Sequence, residues 1–356
     1  MKRKEPSLFS RLVKSHSQKR AMTFDEIRKF NPYHDAKGRF TSAHGGAGGA
    51  VATVTGRVKG RKYGDTKAGD AAAQLTDTKR YTIDGKKNSL DGYLDANGKL
   101  TPEREALHKK IIDDLLKGKV PVEGQATMTM LGGGPASGKS SVMNPDTSKD
   151  KHAVTVDPDY IKSLLPGYKE LAAKDERAAD FFHEESSALA KRFAEVAFSE
   201  NYNVVYDGTG DGSVNSVMKK LNGAKAAGYR TEAKYVSIDT EEAVRRNQKR
   251  YDDAVARGET PRLPPVDMVV ATHTKCTDIS VAVAKEFDHI EIWDNNGARG
   301  QQKLVAEGGS GKGLVAVDKA GFDRYLSKGS KGLDGFMTLP SGEVVPISDD
   351  DYYLPF

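Results

Sequence analysis

Apolar residues along this chain fall into short, nearly continuous runs separated by longer amphipathic stretches. Ala126 to Leu131, Ala153 to Val156, Asn203 to Tyr206, Thr231 to Ile238 and Phe287 to Trp293 read as strands buried on both faces. Between them the apolar positions recur at helical spacing. Thr101 and Pro102 start a helix that carries Leu107, Ile111, Ile112 and Leu115 inward and stops at Gly118. A longer helix runs from about Glu176 to Glu200 with Phe181, Leu189, Phe193 and Val196 inward; others end at Ala227 and span Thr240 to Ala256. Strands alternating with helices predict an α/β fold over residues 100–297: a mainly parallel sheet flanked by helices, with Phe287 to Trp293 as its last strand.

Outside that region the pattern changes. Beyond Gly297, the runs Leu314 to Val317, Phe336 to Leu339 and Val344 to Ile347 sit between glycine-rich turns, with a short helix near Phe322 to Leu326. These residues, 298–356, read as a small extension with β-type runs, in which Gly308 to Gly313 is a flexible linker and Asp349 to Asp351 are exposed. Residues 1–95 carry scattered apolar positions among Lys, Arg, Ser and Gly, and predict a largely disordered basic arm with at most short helices at Phe9 to Val13 and Thr23 to Phe30.

Composition narrows the class. The 356 residues, 37% of them hydrophobic, suffice for one sizeable core plus appendages. A net charge of +5 does not by itself argue for nucleic acid. The early cluster Lys2, Arg3, Lys4, Arg11, Lys14, Lys19 and Arg20 reads as a solvated tail or as an arm touching nucleic acid or another protein. Cys276 is the one cysteine, which excludes an intramolecular disulfide and a multi-cysteine zinc site and fits a reducing, cytoplasmic setting. No apolar run approaches the roughly 20 residues of a membrane span, and no apolar segment of a secretory signal follows Met1 to Glu5.

The chemistry starts where the first strand ends. Gly133-Gly134-Pro135-Ala136-Ser137-Gly138-Lys139-Ser140, followed by Ser141, spells G-x-x-x-x-G-K-S, a phosphate-cradling P-loop. Glycines let successive N–H groups face one hollow, Lys139 reaches the β- and γ-phosphates of a nucleotide, and the Ser140 hydroxyl sits on Mg²⁺ at the start of a helix that Pro145 keeps short. In an open parallel sheet, ligands bind beyond the carboxyl ends of the strands. Asp157 and Asp159 follow the second strand there, and Asp207-Gly208-Thr209-Gly210 the third. Asp159 is the expected general base for an acceptor hydroxyl. Asp157 is its rival, or caps the helix at Tyr160 instead. Asp207 ends its strand as a Walker B carboxylate does, to hold Mg²⁺ or the acceptor, or as part of a tight turn. Arg250 and Arg262 are candidates for phosphate contacts on a helix and proline-bounded lid, with Arg245, Arg246 and Arg257 left on the surface. His183, Glu184 and Glu185 face either the acceptor pocket or solvent, and Cys276 is a core or helix residue.

Residues from about 104 to 295 resemble the zeta toxin family, P-loop kinases of toxin–antitoxin systems. The resemblance is carried by G-G-P-A-S-G-K-S at 133–140, V-D-P-D-Y-I-K at 156–162, V-Y-D-G-T-G at 205–210, K-R-Y at 249–251 and R-L-P-P at 262–265. It implies a P-loop kinase core in which Lys139 and Ser140 bind ATP·Mg²⁺ and Asp159 is the base. It further implies that Asp207 and Thr209 lie at the acceptor and that Arg250 and Arg262 stabilise the transferred phosphoryl group. A nucleotide sugar such as UDP-N-acetylglucosamine is the implied acceptor, and an antitoxin protein the implied partner. Asp207 stands where glutamate is usual, and Ala136 where glycine is common. Separately, Asn31 to Phe40 resembles a segment, N-P-x-H-D-x-x-G-R-F, of structural and head-associated proteins of tailed bacteriophages. Two alternatives therefore stand beside the small-molecule kinase. One is a virion-associated protein that carries a kinase domain. The other is a polynucleotide 5′-kinase, against which the core shows no basic stripe interleaved with aromatics.

Overall fold

The computed structural model describes Ile83 and residues 85–142, 150–175, 178–210, 212–259, 263–298 and 300–347. Most of the basic arm, the Asn31–Phe40 segment, Arg262 and Asp349 to Asp351 lie outside the described residues.

The chain runs α1 (Pro102–Leu116), β1 (Thr127–Gly132), β2 (Ala153–Val156), α2 (Pro158–Leu164), α3 (Tyr168–Ala172), α4 (Ala178–Phe181), α5 (His183–Ser199) and β3 (Asn203–Asp207). It continues with α6 (Val214–Ala226), β4 (Arg230–Ser237), α7 (Thr240–Ala256), α8 (Val266–Val283), β5 (His289–Asp294), β6 (Lys303–Gly309), β7 (Lys312–Ala316), α9 (Lys319–Leu326), β8 (Phe336–Thr338) and β9 (Glu343–Pro346). The strands form one nine-stranded sheet in the order β2-β3-β1-β4-β5-β6-β7-β9-β8. β2 through β5 are parallel, with Leu131 beside Asp207 and Gly132 beside Tyr235. This is an α/β fold of the P-loop kinase type, with the P-loop strand β1 at the centre of the parallel half.

Local signals set the helix starts. Thr101 accepts a hydrogen bond from the Arg104 N–H ahead of Pro102, and Asp157 caps α2 by accepting from the N–H groups of Asp159 and Tyr160. Along α5 the buried positions Glu185, Ser186, Leu189, Ala190, Phe193, Ala194 and Ala197 form a stripe against the sheet. The single helix expected from Glu176 to Glu200 is broken at Phe182, which lets the adjacent rings of Phe181 and Phe182 both turn inward and meet edge to face at 5.3 Å.

Three expectations change. α8 was not legible, because Val, Thr and Ile lower helix propensity and its burial around much of its circumference leaves no polar face. The sheet does not stop at β5: β6 pairs antiparallel with it, and β7, β9 and β8 follow, so Val305, Ala306, Leu314 and Phe322 belong to the main core. Gly308 to Gly313 is no flexible linker. It is the β6–β7 hairpin, closed by Ser310 and Gly311 with φ of 54° and 84°, the signs a type I′ turn requires. α7 and the start of α8 share a second, smaller apolar cluster of Ile238, Ala243, Val244, Tyr251, Leu263 and Val269. Among the described residues no helix is long and apolar enough to cross a membrane.

Candidate active site

β1 delivers the chain to the loop 133–138, and a short 3₁₀ turn, Lys139–Ser141, follows. The loop is held at its first residue, where the Gly133 N–H donates to the Thr209 carbonyl at 2.8 Å. Ala136 and Gly138 both lie in the left-handed region, at φ 61° and 85°. A side chain at position 136 is therefore strained where glycine would not be. Gly138 also admits no Cβ, which would sit 2.2 Å from Asn295 Nδ2. Lys139 folds back, its Nζ donating to the Gly133 carbonyl at 3.2 Å, while Ser140 is exposed at the start of the turn.

The carboxyl ends of β2 and β3 bring acids to the same place. Asp207 is half-buried, and burial pushes its carboxyl above the usual range; Lys139 pulls it down, while Asp157 and Asp159 push it further up. These four groups therefore share one electrostatic neighbourhood. Asp157 spends its carboxylate on the α2 cap, as one of its two readings had it. Asp159 is exposed in the first turn of α2, and its Oδ1 accepts from Lys162 Nζ at 2.9 Å, an ammonium that is itself buried. Thr209 contributes its carbonyl to the loop, which also accepts from Cys276 Sγ at 3.1 Å. Beside Asp207 a cavity of about 720 Å³ opens between β3, α5 and α6, lined by Tyr206, Phe198, Lys191, Lys219, Lys220 and Asn215 among others.

Two cation and acid assignments move. Glu185 is neither an acceptor ligand nor on a solvated face. It is fully buried, accepts from Arg104 Nε and Nη2 at 2.6 and 2.8 Å, and lies 2.8 Å from His108 Nε2. Arg246, read as surface, pairs with Glu242 and donates to the Asn295 carbonyl at 3.3 Å. Arg245 and Arg257 stay on the surface, paired with Glu242 and Glu259. Arg250 is exposed on α7. Two residues against the P-loop carried no signal within their own motifs, His273 on α8 and Asn295 after β5. The general rule that polar groups gather at strand ends would have found Asn295.

Among the described residues no cluster of three His, Cys, Asp or Glu could hold a metal by itself. The Ser140 hydroxyl and the Asp207 carboxylate are hard oxygen donors, and two more carboxylates raise the local negative charge. That set suits a divalent cation shared with nucleotide phosphates rather than an all-protein cage.

A P-loop on the central strand of a parallel sheet, with carboxylates at the neighbouring strand ends, defines a nucleotide-dependent phosphotransferase. The zeta toxin family model matches residues 112–300, just over half of the chain. The chain belongs to the zeta toxin family and is an ATP-dependent kinase of the toxin type. Among solved structures it is similar to one from the PezAT chromosomal toxin–antitoxin system of Streptococcus pneumoniae, at 18% identity and TM-score 0.47, over 63% of this chain and 88% of that one. It is also similar to the AvrRxo1-ORF1:ORF2 complex with ATP, at 20% identity and TM-score 0.47, over 66% of this chain and 75% of that one. A putative kinase from Chloroflexus aurantiacus follows at 11% identity and TM-score 0.34, over 42% of this chain and 79% of that one. No curated protein matches it.

Proposed function

We propose that this kinase transfers the ATP γ-phosphate to a hydroxyl of a small acceptor, of the nucleotide-sugar class exemplified by UDP-N-acetylglucosamine, with Asp159 as general base. The observation that carries the reading is the meeting of Lys139, Asp157, Asp159 and Asp207 in one neighbourhood beside a cavity of about 720 Å³. Its lining joins two aromatic rings with three lysines, which suits a ligand that has both a flat base and phosphates. Lys162 Nζ donates to Asp159 Oδ1 at 2.9 Å and so fixes where that carboxylate sits. Lys139 binds the β- and γ-phosphates. Ser140 and Asp207 hold Mg²⁺, which when bound neutralises charge on the phosphates. Thr209 borders the acceptor beside Asp207. Arg250 and Arg262 stabilise the transferred phosphoryl group. A protein antitoxin partner, as in the PezAT system, restrains the enzyme.

The test is direct. Full-length protein is incubated with ATP·Mg²⁺ and a panel of nucleotide sugars, beside Lys139→Ala and Asp159→Asn, and products are read by mass. A sugar that gains one phosphate with wild type, and about 10²–10⁴-fold more slowly with Asp159→Asn, supports both roles. ATP binding with no modified sugar overturns the acceptor class, and oligonucleotide 5′ ends are then the next substrate to try.

A further inference from the structure

The anion hollow of a P-loop depends on which way its peptide groups face. Across a planar trans peptide, the carbonyl of one residue and the N–H of the next point in opposite directions. His273 Nε2 lies 3.2 Å from the Pro135 carbonyl, and Asn295 Nδ2 donates to the Ser137 carbonyl at 2.7 Å. Both carbonyls are thereby tied outward, to α8 and to the turn after β5. The N–H groups of Ala136 and Gly138 are left facing the other way, as in a backbone nest for phosphate.

Both donors are built in rather than incidental. His273 and Asn295 are 3% and 5% exposed. Burial, helped by the cations of Lys328 and Lys139, holds the His273 imidazole down at about 3, against a modest upward pull from Pro135. The ring is therefore neutral, and a carbonyl partner selects the tautomer with its proton on Nε2. The ring also lies so close to Gly134 that a Cβ there would be 2.4 Å from it. All four polar atoms of Asn295 are engaged. Its N–H donates to Ser237 at 2.8 Å, its carbonyl accepts from Arg246, and its Oδ1 accepts from Gln302 Nε2 at 3.1 Å. The Ser137 carbonyl can only accept and so selects which way the amide is turned, and Gln302 Nε2 holds its oxygen on the other side. Gln302 lies beyond the segment that the family model matches.

We propose that His273 and Asn295 are positioning residues for the nucleotide, which hold the P-loop in its anion-binding form, and that Gln302 steadies the Asn295 side chain in that orientation. The C-terminal segment is then part of the nucleotide site, through Asn295. The proposal rests on ATP phosphates occupying the P-loop and is independent of the acceptor.

The experiment is ATP·Mg²⁺ binding to the full-length chain by calorimetry, with melting temperatures recorded alongside. Asn295→Ala is expected to weaken ATP about 5–10-fold, the scale of one net hydrogen bond. Asn295→Asp keeps the size and the acceptor for Gln302 but has no donor for Ser137, so it weakens ATP at least as much, and the buried carboxylate facing a carbonyl also lowers the melting temperature. Gln302→Leu weakens ATP about threefold, Gln302→Lys, which keeps a donor, restores it, and the Gln302→Leu effect disappears in the Asn295→Ala background. ATP affinity within twofold of wild type in both Asn295 variants overturns the proposal. So does a Gln302→Leu effect that persists in full without Asn295.

Discussion

Glu185→Gln should destabilise the protein by about 3 kcal/mol at neutral pH, and the deficit should shrink in acid. The Glu185 carboxylate is inaccessible to solvent. Burial alone would raise its pKa, but the hydrogen bonds with His108 and Arg104 overcome that and bring it from 4.5 to about 2. A depression of roughly 2.5 pH units corresponds to about 3 kcal/mol of preference for the charged form in the folded state. Glutamine matches the shape but leaves the Arg104 guanidinium buried without its counter-charge, and breaking a buried pair from one side costs about 3–5 kcal/mol. The two routes agree. Because the folded pKa is the lower one, the stabilisation is complete above pH 4.5 and fades as pH falls towards 2. At pH 3.5 roughly 2 kcal/mol of it remains. Urea unfolding followed by the fluorescence of Trp293, the one tryptophan, measures the gap at both pH values. Thermal melts should differ by about 6–12 °C at pH 7. A gap below about 1 kcal/mol at pH 7, or one that does not narrow at pH 3.5, would refute the assignment of Glu185 to this ion cluster.

Other outcomes follow from the same geometry. Ala136→Gly relieves a left-handed residue worth about 1–2 kcal/mol and gives back about 0.4–1 kcal/mol through the unfolded chain; a net gain of about 0.5–1 kcal/mol should appear in urea unfolding. Truncation after Gly297 removes β6 from β5 and uncovers Ile290 and Ile292, both fully buried. The shortened chain should aggregate, and a monomeric, ATP-binding product on size-exclusion chromatography would contradict the continuous sheet. Lys162→Met removes the buried ammonium from Asp159. If Asp159 is the base, turnover should fall about tenfold while ATP affinity is kept, and equal losses in both would count against that role.

Much of the parallel half was legible because its signals are local. The P-loop spacing, the Thr101 and Asp157 caps, and the short apolar runs of β1 to β5 each depend on residues next to one another. The residues around the loop were harder to read. His273 sits 138 positions from Pro135, in a helix whose Val and Thr content points away from helix. Glu185 looked like one more acid on a helix face until α1 brought Arg104 and His108 against it.

The sequence by itself determined the nucleotide chemistry, most of the alternation of strand and helix from β1 to α7, and the acids at the strand ends, because backbone conformation and phosphate binding are set by near neighbours. Only the tertiary structure decided that residues 303–346 continue the sheet, that Glu185 is an internal ion partner, and that Asn295 and His273 brace the P-loop. Those outcomes depend on which surfaces lose water against one another, and desolvation is a property of the packed molecule rather than of any stretch of chain.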